Sequence, residues 1–301
     1  MSPTRICCFL WIVASTASSG VWGQAPERKP PPGPQPDRAA TDAFAAAVEK
    51  WQRKRLPWLD TTIWQKMEIE GIRFEASGRY LAGPNHQLHL SLGVRLARSQ
   101  GRLDVICDGR TYWEVRQFDD QPPQVTRKFD FRKVLAQLEA LKNEQLSTEF
   151  FQNQSFHGVE PLLKSVQNRV VFTRLQRDNW QGQPVLKLTG VWNEKVVGPI
   201  APPDRWPQFL PRECRVFLHA ETYWPLRFEW WGPLPGHVRD RLILEMEFQK
   251  PGFSEIPPQR RKQVFSFKPP AGDIADDTEQ TLRLIQQRLQ QLQQSVAPPR
   301  P

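Results

Sequence analysis

From Gly101 to Arg127 the chain reads GRLDVICDGRTYWEVRQFDDQPPQVTR, and no other stretch restricts the possible folds as much. Leu103 to Cys107 and Thr111 to Val115 are rich in β-branched and aromatic residues, and Asp108-Gly109 stands between them. Both central residues of a tight hairpin turn must tolerate positive φ, which Asp and Gly do, so two antiparallel strands are predicted, with Trp113 on the second. The acidic, Pro-containing FDDQPP then turns the chain into a return strand, Gln124 to Arg127. A lone hairpin is marginal in water, so the remaining chain has to supply more sheet and a cover for an apolar face.

It supplies both. Met67, Ile69 and Gly71, then Ile72, Phe74, Ala76, Gly78 and Tyr80, follow the period of two expected of strands, and Gly83-Pro84-Asn85 is a turn. Leu88, Leu90, Leu92, Val94 and Leu96 then alternate strictly, which leaves one face of that strand wholly aliphatic. Further strands are predicted at 170–177, 185–192, 214–221, 226–231, 242–248 and 263–267, with a Pro-rich surface loop over 197–211. The fold class expected is α+β, mainly antiparallel β: one sheet of roughly eight to eleven strands, large enough to curl.

Helical spacing appears in three places. Phe44, Val48 and Trp51 predict a helix from Thr41, capped by that residue and stopped at Pro57. The insert 130–168 carries two stripes: Phe131, Val134, Leu135, Leu138 and Leu141, then Phe156, Val159, Leu162, Leu163 and Val166, with Gly158 and Pro161 disturbing the second. Two amphipathic helices between strands can cover an open face of the sheet, and this cover is the part predicted to move. Over 278–294 a Gln-rich helix, capped by Asp277, carries Leu282, Ile285, Leu289 and Leu292. Two heptads are too short for an independent coiled coil, so docking on the domain and docking on another protein are both open. Residues 295–301 read as a disordered tail.

Residues 1–23 have the form of a cleaved signal peptide: Arg5, an apolar run from Ile6 to Ala14, and small residues before a cut between Gly23 and Gln24. Residues 24–40 follow as a Pro-rich linker, either a semi-rigid spacer or an unselected tail. Loss of Arg5 leaves 40 basic against 32 acidic residues, a charge of +8. The excess lies in patches such as RKR at 53–55 and RRK at 260–262. Peripheral contact with an anionic membrane and a merely solvated basic surface both fit; export argues against nucleic acid. Only Cys107 and Cys214 survive cleavage, and an oxidising compartment allows a disulfide between them or two separately buried thiols.

No catalytic constellation emerges. There is no HExxH and no Gly-rich phosphate loop after a strand, and no nucleophile can be paired with a base. His86 and His89, three apart on a strand, fall on opposite faces and cannot share a metal. Asp273, Asp276 and Asp277 precede a helix and suit its dipole better than calcium. What remains is apolar surface, on a sheet that cannot bury both faces on itself. Either the helices fill the concavity, or a cavity persists that admits an apolar ligand.

The runs GRYLAGPNHQLHLSL, LDVICDGRTYWEVRQFDDQPPQVTR, DNWQGQPVLKLTGVW and FSFKPPAGDIADD together resemble the LolA-like superfamily of periplasmic lipoprotein carriers and lipid-binding proteins. Asp108, Gly109, Arg110, Thr111 and Trp113 sit on the family's hairpin signature, and Phe267, Pro269, Pro270 and Gly272 on its closing one. The match spans about 41–277. It departs at Gly83, where carriers commonly have a basic residue, and the 197–211 loop, the leader and the C-terminal helix are additions. The resemblance implies a strongly curved, incomplete β barrel (half-barrel) with a helical lid, holding acyl chains.

The expectation is therefore an exported or periplasmic, non-enzymatic carrier without cofactor or metal. Its partner would be a lipid or the acyl chains of a lipoprotein, with a membrane-associated protein as a further partner. The cavity would be lined by Leu88, Leu90, Leu92, Val94, Trp113, Phe228, Leu244 and Met246, and Phe131, Leu135, Leu138, Phe156 and Leu162 would belong to the lid. The alternative is a regulatory or scaffolding protein-binding module on the same fold, with a filled core.

Overall fold

The structure, a computed structural model, describes residues 34–52, 58–69, 71–96, 99–152, 158–193, 211–233, 240–269 and 274–296. The leader, most of the 197–211 loop and Phe156 therefore lie outside the described residues. The chain opens with α1 (Arg38–Lys50), followed by β1 (Leu59–Ile69), β2 (Ile72–Ala82), β3 (Leu88–Leu96), β4 (Ser99–Cys107), β5 (Thr111–Phe118) and β6 (Gln124–Asp130). Helices α2 (Phe131–Leu141), α3 (Glu144–Gln152) and α4 (Val159–Arg169) come next. The strands resume as β7 (Val170–Trp180), β8 (Gln183–Trp192), β9 (Glu213–His219), β10 (Pro225–Gly232) and β11 (Arg241–Gly252). Helices α5 (Pro258–Phe265) and α6 (Thr278–Val296) end the described chain.

All eleven strands form one sheet in the order β6-β5-β4-β3-β2-β1-β11-β10-β9-β8-β7. β6 and β7 stand at its ends with one neighbour each, so the barrel is incomplete, and the fold class is the expected one: antiparallel β with helices. The DG hairpin forms as predicted, Cys107 pairing with Tyr112. Asp108 Oδ1 accepts from the backbone N–H groups of Arg110 and Thr111, both at 2.7 Å. Gly109 has φ +87°, and a Cβ there would also lie 2.6 Å from the Asn85 carbonyl oxygen, so two constraints demand glycine.

The chain divides into two compact units, one of Met1–Arg55, Gln65–Phe74 and Leu162–Phe248, the other of Leu56–Trp64, Glu75–Pro161 and Gln249–Pro301. In the first, α1 packs through fully buried Ala40 and Ala47, while Phe44 meets Phe172 at 4.7 Å and Trp51 meets Trp224 edge-on at 4.9 Å. The helix starts at Arg38, earlier than expected, because Asp37 and not Thr41 is its cap: Asp37 Oδ1 accepts from Ala40 N–H at 3.1 Å.

In the second unit two expectations are corrected. The insert contains three helices, not two, since α3 intervenes with Asn143 accepting from Leu146 N–H at 2.9 Å. The segment 263–267 is not a strand: its first half completes α5. A short apolar run does not distinguish helix from strand, and here packing decides. Pro258 suits the first turn, and Ile256 and Phe265 close a small core with Leu81, flanked by Trp58 and Val264.

Both open edges are closed in the same way. On β7, Asp37 N–H donates to Phe172 O (2.8 Å), and Asp37 Oδ2 accepts from Leu175 N–H (3.3 Å). On β6, Asp277 N–H donates to Lys128 O (2.7 Å), and Asp277 Oδ2 accepts from Lys128 N–H (3.4 Å). Each aspartate precedes a helix and replaces one residue of a missing neighbour strand, which blunts an edge that would otherwise pair with another chain.

Candidate functional site

Register decides which residues share a face. Leu88, Leu90 and Leu92 pair with Cys107, Val105 and Leu103, and Cys107, Val105 and Leu103 pair with Tyr112, Glu114 and Arg116. Antiparallel partners project to the same side, so the aliphatic face runs from β3 through β4. On β5 and β6 it continues as Tyr112 stacked on Phe129 at 4.7 Å. Leu88, Leu90, Leu92 and Val94 are only 1–6% exposed.

Trp113 does not belong to this face. It pairs with Ile106, which pairs with His89, and lies on the opposite side of the sheet, 5.3 Å from Phe267 and beneath the Lys128 ammonium. The residue that faces the stripe is Tyr112. A signal existed: four residues separate Cys107 from Tyr112, and across an even-numbered loop the alternation Leu103, Val105, Cys107 continues into 112, not 113.

Farther along β5, a buried ion pair joins the same face, Arg116 Nε donating to Glu114 Oε1 at 2.8 Å, with the Thr126 hydroxyl 3.2 Å from the same oxygen. The face thus grades from aliphatic to charged towards β6. Sequence reasoning missed this pair, because alternating charge on a strand usually marks a solvated side.

The helical cover is joined to β5 and β6 by rings. Phe129 lies 6.4 Å from Phe131 on α2 and 6.5 Å from Phe150 on α3. His86, with φ +62° in the β2–β3 turn and not on a strand as expected, lies 5.4 Å from Phe131 and stacks on Phe151 at 6.0 Å. Of the predicted lid residues, Phe131 and Leu138 are buried and Leu135 is half-buried. Leu162, buried on α4, belongs to the other unit.

α6 is docked on the domain. Ile285 is buried, Leu282, Leu289 and Leu292 are half-buried, and the helix packs on α2, α3 and β6. Arg288 clasps Glu149 of α3 with contacts of 2.7 and 3.2 Å. Asp276 caps the helix through Thr278 N–H at 3.0 Å, and the hydrogen bond from the Thr278 hydroxyl holds its carboxyl below the usual range. Two of the three aspartates at this helix start are thus accounted for by capping and by the β6 edge.

In the other unit, Phe228 pairs with Met246 and Trp230 with Leu244, so three predicted cavity residues, Phe228, Leu244 and Met246, do share a face. Phe228 stacks on Trp230 at 5.8 Å. The opposite face of these strands carries charge. Arg227 lies among Glu229 (2.8 Å), Glu247 (2.8 Å) and Glu245 (2.5 Å), and all three carboxylates are buried. Burial pushes Glu245 above the ordinary carboxylate range despite the attraction of Arg227 and Lys66.

Cys107 and Cys214 are free thiols, not a disulfide, each buried in a different unit. Burial raises the Cys214 thiol, and the neighbouring Glu213 and Glu229 raise it further. No group of three or more His, Cys, Asp or Glu among the described residues is placed to hold a metal, and no described helix is long and apolar enough to cross a membrane.

No family model and no curated protein matches the chain. Solved structures do. It is similar to LprF from Mycobacterium bovis (11% identity, 74% of this chain and 97% of that one, TM-score 0.38). It is similar also to the lipoprotein LppX from Mycobacterium tuberculosis (12%, 73% and 98%, 0.38) and to a LolA superfamily protein from Nitrosomonas europaea (9%, 74% and 97%, 0.21). The resemblance is to the LolA superfamily. One LolA-type fold hosts more than one function, so function has to be argued from this chain's own residues.

Proposed function

We propose that this chain is an exported carrier that takes up a lipid, or the acyl chains of a lipoprotein, on the aliphatic face of β3 and β4, and performs no covalent chemistry. The observation that supports this most is the continuity of that face, Leu88, Leu90, Leu92 and Val94 lying in register with Leu103, Val105 and Cys107. An acyl chain laid along it would gain about 0.8 kcal/mol per buried methylene. The stripe is covered in this conformation, so uptake requires the cover to move. α2 and α3, attached by ring contacts to β6 and to the β2–β3 turn, are the elements proposed to do so.

The alternative, a protein-binding module with a filled core, draws on the same coverage of the stripe. It loses one expected contact point, since the apolar side of α6 is already used within the domain. Lipid extraction from the purified protein with mass spectrometry, together with uptake of a fluorescent fatty acid, tests the carrier. Uptake is expected, and Leu90→Glu should abolish it while circular dichroism still reports a folded sheet. A protein that is always isolated empty and takes up no fatty acid would overturn the carrier and leave the module.

A further inference from the structure

Between Lys250 and Lys268, where the chain leaves β11 and forms α5, five cations stand against one acid, Glu255, a net charge of +4. The acid is engaged: Arg261 donates to it, donates also to Ile256 O at 2.7 Å, and lies 4.7 Å over the Trp58 ring. Arg261 and Glu255 thus cancel one another and are fixed to the domain, whereas Lys250, Arg260, Lys262 and Lys268 are exposed. Among them stands Phe253, 37% exposed and one of three exposed large hydrophobic residues among the described ones. The segment is not a loose tail, because Ile256 and Phe265 anchor it to Leu81 of the sheet.

We propose that this segment is a docking face for an anionic lipid surface, with the four exposed cations at the phosphate headgroups and Phe253 entering the layer beneath them. Charge complementarity selects the surface, since basic residues close to anionic lipid each add to binding. Phe253 distinguishes a membrane from a soluble anion: an aromatic held out among cations gains free energy where headgroups give way to acyl chains. The inference goes beyond the carrier reading and does not require an acyl cavity.

The test is co-sedimentation of the purified protein with phosphatidylcholine vesicles, with and without phosphatidylglycerol. Binding to the mixed vesicles is expected, with release at high salt. Each cation near such a surface is worth about a fivefold change in partitioning, so R260Q/K262Q should bind about twenty-five-fold more weakly, and F253S should reduce what binding remains at high salt. R95Q/R102Q, which removes two exposed cations on β3 and β4, should bind as the parent does. Should R260Q/K262Q fail to fold by circular dichroism, K250Q/K268Q carries the same expectation. Equal binding to neutral vesicles, undiminished binding of the folded variants, an equal loss in R95Q/R102Q, or displacement by inorganic phosphate would each overturn the proposal.

Discussion

Removal of Arg227 is the most informative single perturbation of stability. Its guanidinium contacts three carboxylates, Glu229, Glu245 and Glu247, at 2.5–2.8 Å. The arginine side chain is 18% exposed and the three acids 8–9%, so solvent screens them weakly. Arg227→Ala leaves three carboxylates facing one another in a buried site. Losing one partner of a buried charge pair costs about 3–5 kcal/mol, and at about 2–4 °C per kcal/mol for a protein of this size the melting temperature should fall by roughly 6–20 °C at pH 7.

The pH dependence has a definite sign. Glu245 in the folded protein stands above its ordinary value of 4.5 because it is buried. A raised folded pKa means that the folded state holds the proton to higher pH than the unfolded chain does. Its contribution is fully present below the unfolded value and is lost as pH rises through the folded one. Without Arg227 this penalty grows, and protonation relieves it, so the deficit of R227A against the parent should be largest at pH 7 and shrink towards pH 4.5. Urea unfolding of both proteins at the two pH values, followed by circular dichroism, measures it. A deficit below about 1 kcal/mol at pH 7, or one equal at both pH values, would refute the account of Arg227 as the centre of a desolvated network.

Three further outcomes follow from the geometry. Gly158 has φ +109°, and a Cβ there would lie 2.2 Å from the Tyr80 hydroxyl; Gly158→Ala should cost about 1–3 kcal/mol in urea unfolding, and Y80F should restore only part of it, since the backbone strain remains. D37A and D277A should each cost about 1 kcal/mol through the lost cap or edge contact, and the double variant, with both edges of the sheet bared, should show a higher mass by light scattering where the parent does not. Cys107 and Cys214 should resist a thiol reagent in the native protein and both react after guanidinium unfolding without reductant; a protein that shows no free thiol when unfolded would contradict their separation.

Much of the fold was legible because strand signals are local. The strict alternation of 88–96, the Asp-Gly turn and the runs at 170–192 and 214–248 each specify a strand from neighbouring residues alone, and all became strands. The apolar stripe of the candidate site was legible for the same reason: a period of two fixes which residues of one strand share a face. The same holds for Phe131 and Leu138 on α2, where helical spacing named residues that are buried.

What the sequence could not settle is how separate elements meet. Trp113 and Tyr112 read alike as neighbours on a strand, and only the pairing of Cys107 with both Leu88 and Tyr112 assigns Tyr112 to the aliphatic side. The apolar side of α6 was equally suited to a partner, and its place on α2 and α3 depends on contacts such as Arg288 with Glu149, 139 residues apart. Segment 263–267 lost its strand to α5 because Leu81, far away in sequence, offered Ile256 and Phe265 a core. Alternation along the chain determined the strands and the residues able to form an apolar face. Tertiary register alone decided which of those faces coincide, because pairing is a relation between residues distant in sequence, and no local preference encodes it.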